Sequence, residues 1–319
     1  MTGTSTRALA DLQINPIGLG GNVFGWTADE AVSFDVLDAY LDAGGNLVDT
    51  ADGYSYWAPG NSGGESEAVI GNWLSSRPVR DRIVLATKVS TKPDRPGLSA
   101  GNVRLALEES LSRLRTEAID IYYAHFDDES TPLEETVSAF EEARRAGKIR
   151  YVGLSNYAPE RIRQWFAIAD SQGCARPIVL QPHYNLLHRD DVEGPGGRGQ
   201  TAAELGMGMM PYFALAAGFL TGKYRRGEAV HGDRADMVAD YQRPECYDVV
   251  DAVVQIAEAH RVEPAAVALA WLRDRPGVTA PLASARSLRQ LAPIVDALTL
   301  ELSDEEIRTL TRVSDAVRP

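Results

Sequence analysis

Short apolar runs alternate with amphipathic stretches along the 319 residues of the chain, and this alternation limits the possible folds more than any other feature. Most of the runs are too apolar for strands that leave one face in water, so they favour a parallel sheet covered on both faces. The stretches between them have the periodicity of helices. Eight such runs are present: PIGLGG (16–21), NLVDT (46–50), IVLATKV (83–89), IDIYYAH (119–125), IRYVGLSN (149–156), IVLQPHY (178–184), MGMMPYF (207–213) and VTAPLAS (278–284).

Capping signals mark helices between the runs. Thr27 and Glu30 have the spacing of a capping box, and Ser303 and Glu306 repeat it near the end of the sequence. Eight strand–helix units over at least ~250 residues have the size of a (β/α)8 TIM barrel. We therefore predict an α/β protein in which residues 1–319 form a single barrel domain, with the active site at the C-terminal mouth of the strands.

A doubly wound open sheet is the competing α/β fold. It usually carries a G-x-G-x-x-G turn after its first strand, and GLGGNVFG does not have that spacing before a helix. Irregular insertions are expected at 55–64, 189–199 and 225–245. Long loops on a barrel mouth are often functional.

Charge and cysteine content exclude several classes of protein. The formal net charge of −13 argues against binding to nucleic acid, which needs a basic face. No stretch approaches the ~20 apolar residues that span a bilayer, and the N-terminal segment lacks the apolar core of a signal peptide. Only Cys174 and Cys246 occur, so no disulfide framework is expected. These observations predict a cytoplasmic protein without membrane or nucleic-acid partners, and they do not indicate its oligomeric state.

Polar side chains follow the apolar runs where the strands of a barrel would end. Asp49 and Tyr54 follow the second run, Lys88 ends the third, and His125 ends the fourth. The C-terminal ends of barrel strands meet at one mouth, so we expect these four side chains to converge there. The later runs end in further polar residues: Ser155, Asn156, Gln181, Tyr212, Ser284 and Arg286.

These four residue types suit general acid catalysis on a carbonyl group. A nearby ammonium lowers the pKa of a phenol, so Lys88 would tune Tyr54, while the carboxylate of Asp49 would hold Lys88 in place and charged. Neutral His125 would orient the carbonyl oxygen, and Tyr54 would protonate it as a hydride arrives. A Schiff-base aldolase that uses Lys88 is an alternative, although Asp49 favours the charge that such chemistry must suppress. The histidines show no metal-binding pattern, so no metal is expected.

Several stretches resemble the aldo-keto reductases, and they come in that family's order: GGNLVDTADGY, GGESEAVIGNWL, ATKV, YYAHFDD, YVGLSNY, QPHYNLL and LTGKY. The resemblance spans essentially the whole chain. It implies a (β/α)8 barrel, NADPH as cofactor and the reduction of aldehydes or ketones to alcohols. A NADPH-binding regulatory or sensor subunit with slow turnover is the alternative on the same fold. The family's catalytic tetrad falls on Asp49, Tyr54, Lys88 and His125, with Tyr54 as general acid.

The resemblance also implies where the cofactor binds. Ser155, Asn156 and Gln181 resemble the residues that bind the nicotinamide amide, and Tyr212 resembles the aromatic residue that stacks on the nicotinamide ring. Arg286 offers a planar charged group for a 2′-phosphate, which favours NADPH over NADH. The stretch ALAAGFLTGKY resembles the pyrophosphate loop and contains Ala214, Leu215, Gly218, Leu220, Gly222 and Lys223. The residues around the adenosine end are Ser284, Arg286 and Gln290.

Aromatic loop residues are expected to line the substrate pocket: Trp26, Tyr56, Trp57 and Phe126. Aromatic walls suit apolar aldehydes and also stack on sugar rings, so small aldehydes and sugar-like carbonyl compounds both stay open as substrates. The chain departs from its relatives where they read QPEYN and it carries His183, and where they read PYSPLA and it reads PYFALA.

Overall fold

The computed structural model describes residues 6–224, 226–227 and 235–317, and its centre is a parallel eight-stranded barrel. Each of the eight apolar runs contains one barrel strand, which confirms the predicted (β/α)8 fold. The barrel consists of β3 to β10 in the spatial order β10-β3-β4-β5-β6-β7-β8-β9. The strands along the chain are β1 (Arg7–Leu9), β2 (Leu12–Ile14), β3 (Gly18–Gly20), β4 (Leu47–Asp49), β5 (Val84–Val89), β6 (Ile119–Ala124), β7 (Ile149–Ser155), β8 (Val179–Gln181), β9 (Gly208–Met209) and β10 (Leu282–Ala283).

Backbone contacts near β9 and β10 close the sheet into a barrel. The strand β10 pairs in parallel with β3, so the sequence's first and last barrel strands are neighbours. On the other side, Met209 forms a parallel bridge with Val278. The amide of Thr279 donates to the carbonyl of Met209 at 2.7 Å. The C-terminal ends of all eight strands therefore surround one mouth.

The antiparallel hairpin β1–β2 packs into the lower end of the barrel. Its side chains Leu9, Leu12 and Ile14 belong to the same buried cluster as Leu47 and Val84, which stand at the starts of β4 and β5. The hairpin was absent from the sequence-based prediction, because strands of three residues are too short to show a clear alternation.

Helices cover the outside of the barrel, and their apolar faces pack with the outward side chains of the strands in a second, larger buried cluster. The helices are α1 (Glu30–Asp42), α2 (Glu65–Ser76), α3 (Ala100–Leu114), α4 (Leu133–Arg145), α5 (Pro159–Gln172), α6 (Asp190–Glu193), α7 (Arg198–Glu204), α8 (Ala235–Val238), α9 (Pro244–His260), α10 (Pro264–Arg273), α11 (Leu288–Asp296) and α12 (Asp304–Ser314). Among the described residues, no helix combines the length and the apolar character needed to cross a bilayer.

The two predicted capping boxes have different outcomes. Ser303 and Glu306 form a reciprocal capping box at the start of α12, as predicted. The N-cap of helix α1 is Asp29, two residues after the predicted cap at Thr27, and its carboxylate accepts a hydrogen bond from the amide of Val32 at 2.9 Å. Aspartate and threonine are both good N-caps. The presence of a glutamate three residues after Thr27 was therefore not enough to choose Thr27 over Asp29.

The three predicted insertions also differ. Residues 55–64 form a turn without a helix, as expected. Residues 189–199 contain α6 and the start of α7, so the prediction of irregular structure was wrong for this segment. The insertion at 225–245 lies partly outside the described residues, and its described part includes α8 and the first turn of α9.

Candidate active site

The turn after β4 places Asp49 and Tyr54 at the mouth. Asp49 is the last residue of β4, and its side chain is buried. The turn that follows needs a residue without a side chain at Gly53, because an added Cβ would lie 2.7 Å from the hydroxyl of Thr91. Ser55 adopts a φ of +71°, and its hydroxyl donates to the carbonyl of Phe24 at 2.8 Å. Close packing and one strained residue therefore fix the position of Tyr54.

Lys88 forms the centre of the site. It lies on β5 and is fully buried. Its Nζ donates to Oδ2 of Asp49 at 2.5 Å, to the carbonyl of Thr50 at 2.8 Å and to the hydroxyl of Tyr54 at 3.0 Å. An ammonium has three hydrogens, and each has an acceptor here. The structure thus brings three of the four predicted tetrad residues into direct contact.

The surroundings keep both Lys88 and Tyr54 protonated. Burial alone would lower the pKa of Lys88, but the negative charge of Asp49 and the bond to Tyr54 raise it above its ordinary value. Burial raises the pKa of Tyr54, and the ammonium of Lys88 opposes this rise only in part. The sequence-based argument considered only the effect of Lys88 and expected a lowered pKa. A phenol that keeps its proton until it is needed is a suitable general acid.

His125, the fourth residue of the predicted tetrad, lies beside Tyr54. It follows β6, and its ring centroid lies 6.0 Å from that of Tyr54 in an edge-on arrangement. Burial, assisted by the charge of Lys88, lowers the pKa of His125 well below its usual value, so the imidazole is neutral. Its Nδ1 lies 3.3 Å from the hydroxyl of Thr91. Sequence reasoning missed Thr91, which comes three residues after Lys88 and carries no motif of its own.

The predicted nicotinamide-binding residues are joined to the tetrad by hydrogen bonds. The amide of Gln181 donates to Oδ1 of Asp49 at 3.0 Å. Asn156, in a left-handed conformation with φ +60°, donates to the carbonyl of His125 at 3.0 Å. The hydroxyl of Tyr212 donates to Oδ1 of Asn156 at 2.7 Å. The hydroxyl of Ser155 donates to the carbonyl of Gln181 at 3.0 Å, so this set forms one connected network.

The predicted pyrophosphate loop is strained and lined by small residues. Ala217 and Gly218 have φ values of +55° and +97° in succession, and Gly222 is also left-handed. An added Cβ at Gly218 would lie 3.2 Å from Nζ of Lys223. Successive left-handed and helical residues create a backbone concavity suited to anions. A cationic side chain beside a glycine cradle therefore fits a pyrophosphate group. The other predicted loop residues, Ala214, Leu215 and Leu220, are buried or half-buried.

The predicted adenosine end lies after β10. The hydroxyl of Ser284 donates to Oδ1 of Asn22 at 2.6 Å, which connects this end to the turn after β3. Arg286 is exposed, and its backbone amide donates to Oε1 of Gln290 at 3.1 Å. The role of Asn22 could have been suspected from its place after the first barrel strand, a position that sequence reasoning did not use.

Aromatic rings stand on both sides of Tyr54. Trp57 lies 6.2 Å from Tyr54 between ring centroids and contacts both Trp26 and Tyr56. Phe126 packs on His125 at 5.1 Å. Tyr56, Trp57 and Phe126 remain 44%, 42% and 46% exposed. Large apolar side chains of this exposure are available to a ligand.

A cavity of about 330 Å³ opens beside Phe126. Its wall includes the hydroxyl-bearing residues Ser90 and Thr91 and the carboxylates of Asp127 and Asp128. Because Thr91 also contacts His125, the cavity adjoins the tetrad. Among the described residues, no cluster of histidine, cysteine and carboxylate side chains could hold a metal ion.

A second group of buried charges lies outside the barrel wall, between β5 and the helices. Glu67 of α2 is fully buried and accepts hydrogen bonds from the hydroxyl of Thr87 at 2.6 Å and from Nε of Arg113 at 2.7 Å. Asp52 is also fully buried, yet neither of its carboxylate oxygens has a hydrogen-bond partner among the described residues. Burial, together with the charge of Glu67, raises the pKa of Asp52 to about 7. Sequence reasoning assigned no role to this group.

Comparison with known proteins gives a consistent result. Residues 16–315 match the model of the aldo/keto reductase family. The chain is 31% identical to Protein tas of Escherichia coli strain K12, over 95% of each chain. It is 31% identical to aldo-keto reductase YhdN of Bacillus subtilis, over 94% of this chain and 90% of the relative. It is 30% identical to norsolorinic acid reductase stcV of Emericella nidulans, over 94% and 78%. The chain therefore belongs to the aldo/keto reductase family, whose members are (β/α)8-barrel oxidoreductases that act on carbonyl compounds.

Proposed function

We propose that this protein is an NADPH-dependent reductase that converts aldehydes or ketones to alcohols, with Tyr54 as the general acid. The observation that carries the proposal is the position of the Tyr54 hydroxyl, 3.0 Å from the buried ammonium of Lys88, which Asp49 holds at 2.5 Å. This arrangement holds a proton donor beside a fixed positive charge at the mouth of the barrel. A fixed charge stabilises a developing phenolate without reorganisation.

Each tetrad residue has a separate task in the proposed reaction. A bound nicotinamide supplies the hydride. Tyr54 donates its phenolic proton to the carbonyl oxygen, and the ammonium of Lys88 stabilises the phenolate that remains. Asp49 keeps Lys88 charged and aligned. If Nδ1 of His125 accepts from the hydroxyl of Thr91, the neutral ring carries its hydrogen on Nε2 and donates it to the same oxygen.

The residues around the mouth support NADPH as the cofactor. Ser155, Asn156 and Gln181 offer the donors and acceptors that a carboxamide needs, and Tyr212 offers a flat ring. The strained loop at Gly218 with Lys223 suits the pyrophosphate. The exposed guanidinium of Arg286 suits a 2′-phosphate, which distinguishes NADPH from NADH. Ser284 and Gln290 complete the adenosine end.

The exposed rings favour aromatic or other apolar aldehydes and ketones over sugars. Tyr56, Trp57 and Phe126 present ring surface beside the proton donor. The two carboxylates that line the cavity are already bonded within the protein, since Asp127 accepts two hydrogen bonds from Arg161 and Asp128 accepts from Ser130 and Thr131. They are therefore poorly placed to bind sugar hydroxyls.

The test is NADPH oxidation with a panel of aromatic aldehydes, aliphatic aldehydes, ketones and ketosugars, run with the wild type and Tyr54→Phe. We expect kcat to fall at least ~100-fold in Tyr54→Phe while NADPH binding is retained. Tyr151→Phe is the matched control, because that hydroxyl donates to Asp11 at the surface. Tight NADPH binding without turnover of any substrate would favour a sensor subunit. Equal activity of wild type and Tyr54→Phe would exclude Tyr54 as the acid.

A further inference from the structure

Two imidazole rings continue the aromatic surface of Tyr212 away from the proposed nicotinamide site. The rings of His183 and His188 are stacked, with centroids 3.9 Å apart and planes 6° apart. The ring of Tyr212 lies 5.4 Å from that of His183 at an interplanar angle of 26°, and Phe213 contacts His183 edge-on at 5.3 Å. The side chain of His188 is 37% exposed, so the three rings form a stack that leads from the surface to Tyr212.

The hydrogen bonds of Asn185 determine the protonation state of His183. The amide of Leu187 donates to Oδ1 of Asn185 at 2.7 Å, which identifies the oxygen of that side chain. The amide nitrogen of Asn185 therefore donates to the carbonyl of Phe213 at 2.9 Å and to Nε2 of His183 at 3.3 Å. A ring nitrogen that accepts a hydrogen bond carries a lone pair, so His183 is neutral with its hydrogen on Nδ1.

The electrostatic surroundings act in the same direction. Burial, and then the neighbouring His188, lower the pKa of His183 to about 4. Protonation at Nε2 would also direct an N–H group at the N–H group of buried Asn185. The ring next to Tyr212 is therefore uncharged at neutral pH, and Asp191 lies 3.4 Å from Nε2 of His188, the outer ring of the stack.

Tyr212 is held by its backbone, by its hydroxyl and by the ring of His183. Its amide donates to the carbonyl of Pro182 at 3.0 Å, and its hydroxyl donates to Asn156 at 2.7 Å. Tyr212 also forms a parallel backbone bridge with His183. The next residue, Phe213, has a strained φ of +53° and is held by Asn185. With the backbone and hydroxyl fixed, the remaining freedom of the ring is its tilt, which His183 limits by contact.

We propose that His183 is a positioning residue for the nicotinamide, acting by fixing the tilt of Tyr212 from the face opposite the cofactor. The inference rests on the proposed function, because it assumes that the other face of Tyr212 stacks on the nicotinamide. His188 supports His183 from outside. The stack is neutral next to Tyr212, so it contributes shape and contact rather than charge.

The experiment compares NADPH affinity and kinetics in the wild type, His183→Ala, His183→Phe and His188→Ala. Stacked aromatic pairs contribute enough to change binding by roughly 3- to 10-fold, so we expect the Kd and KM for NADPH to rise by that factor in His183→Ala. We expect kcat to change less than about 3-fold, because the proton donor is untouched. His183→Phe restores a flat ring and should recover most of the affinity. A smaller rise is expected for His188→Ala.

His260→Ala serves as the control, since that histidine bonds to Glu306 of α12. Suppose that the wild type binds and oxidises NADPH and that His183→Ala has the same Kd and KM for NADPH as the wild type. This result would overturn the role of His183 but not the proposed function. Failure of His183→Phe to recover affinity would also overturn the role of His183. If His183→Ala does not fold, the test is whether the Kd and KM for NADPH rise in His188→Ala. A wild type that does not bind NADPH would overturn both proposals.

The protonation state can be measured directly by the nitrogen chemical shifts of His183. We expect the neutral form with hydrogen on Nδ1 at neutral pH, and a change in these shifts when NADPH is added. A doubly protonated ring at neutral pH would contradict the hydrogen-bond assignment and, with it, the uncharged stack.

Discussion

Thr87 and Lys88 are neighbours on β5, yet their side chains enter two different groups of buried charges. Lys88 enters the barrel mouth and contacts Asp49 and Tyr54. Thr87 faces the helices and donates to Glu67, which also binds Arg113. The alternation of side chains along a strand accounts for the separation. Lys88 and Glu67 are both buried and paired, so burial and pairing alone do not reveal which group performs chemistry.

The two groups differ in what their protons can do. In the inner group, a phenol that keeps its proton lies against a permanent ammonium and is half-buried at the mouth. In the outer group, a carboxylate is fixed between a hydroxyl and a guanidinium that joins α3 to α2. The inner group therefore has an exchangeable proton near solvent, whereas the outer group holds β5, α2 and α3 together. This contrast leads to opposite expectations for activity and stability.

The largest effect is expected for Lys88→Met. It removes the charge that stabilises the phenolate of Tyr54, so kcat/KM should fall about 100- to 10,000-fold in steady-state assays. It also leaves Asp49 buried without its partner, and the free energy of unfolding should fall by about 3–5 kcal/mol in urea titrations. Lys148→Met is the control, because Lys148 pairs with Glu108 on the surface. Activity within about tenfold of wild type would contradict the inner group's role.

Glu67→Gln should lower stability and leave activity nearly unchanged. The buried ion pair with Arg113 is lost while the shape of the side chain is kept, so we expect the free energy of unfolding to fall by about 3 kcal/mol. Because the tetrad is unaffected, kcat should stay within about tenfold of wild type at a temperature where the variant is folded. Glu108→Gln provides the surface comparison. A loss of kcat as large as that of Lys88→Met would show that the two groups are not separable.

Asp52→Asn should raise stability, and the gain should depend on pH. The folded-state pKa of about 7 lies above the unfolded value, so the wild type loses stability as pH rises from about 4 to about 7. The asparagine variant has no such loss. We expect it to be more stable than wild type by roughly 2–4 kcal/mol at pH ~8, with the difference vanishing near pH ~4. Denaturant unfolding of both proteins across this range measures it, and a difference independent of pH would refute a protonated Asp52.

The smallest effect is expected for Thr87→Val, which changes one hydrogen bond of the outer group. It deletes one hydrogen bond to Glu67 and keeps the shape of the side chain next to Lys88. We expect a loss of about 1–2 kcal/mol in unfolding free energy, because the other bonds of Glu67 remain. The kinetic constants should match those of wild type, measured beside Ser138→Ala, a surface hydroxyl on α4. If kcat changes in Thr87→Val, the hydrogen bond on the outer face of β5 affects the activity of the tetrad on its inner face.

The barrel could be predicted because its pattern is repeated. Each apolar run is one strand, and eight repetitions outweigh errors in any one boundary, such as the two-residue error at Thr27. The tetrad positions followed from polar residues at strand ends. Their contacts agree with that expectation, although their roles remain predictions until Tyr54→Phe and Lys88→Met are measured.

Other features depend on contacts that are distant in sequence and could not be predicted. Asp49 and Asp52 are three residues apart, but Asp49 is paired with Lys88, whereas Asp52 has no hydrogen-bond partner in the part of the chain that the structure describes. Only the packing of β5 and α2 around the turn decides this. Likewise, the raised pKa of Tyr54 results from burial by surrounding loops, while the sequence showed only the opposing lysine.

The hairpin β1–β2 leaves the barrel with one accessible end. Leu9, Leu12 and Ile14 fill its lower end, so in the part of the chain that the structure describes, the mouth is the accessible side of Tyr54. If Trp57 and Phe126 line the substrate pocket as proposed, a molecule that reaches Tyr54 has to leave past the same two rings. We then expect the side chains that select a substrate also to limit how quickly its product leaves.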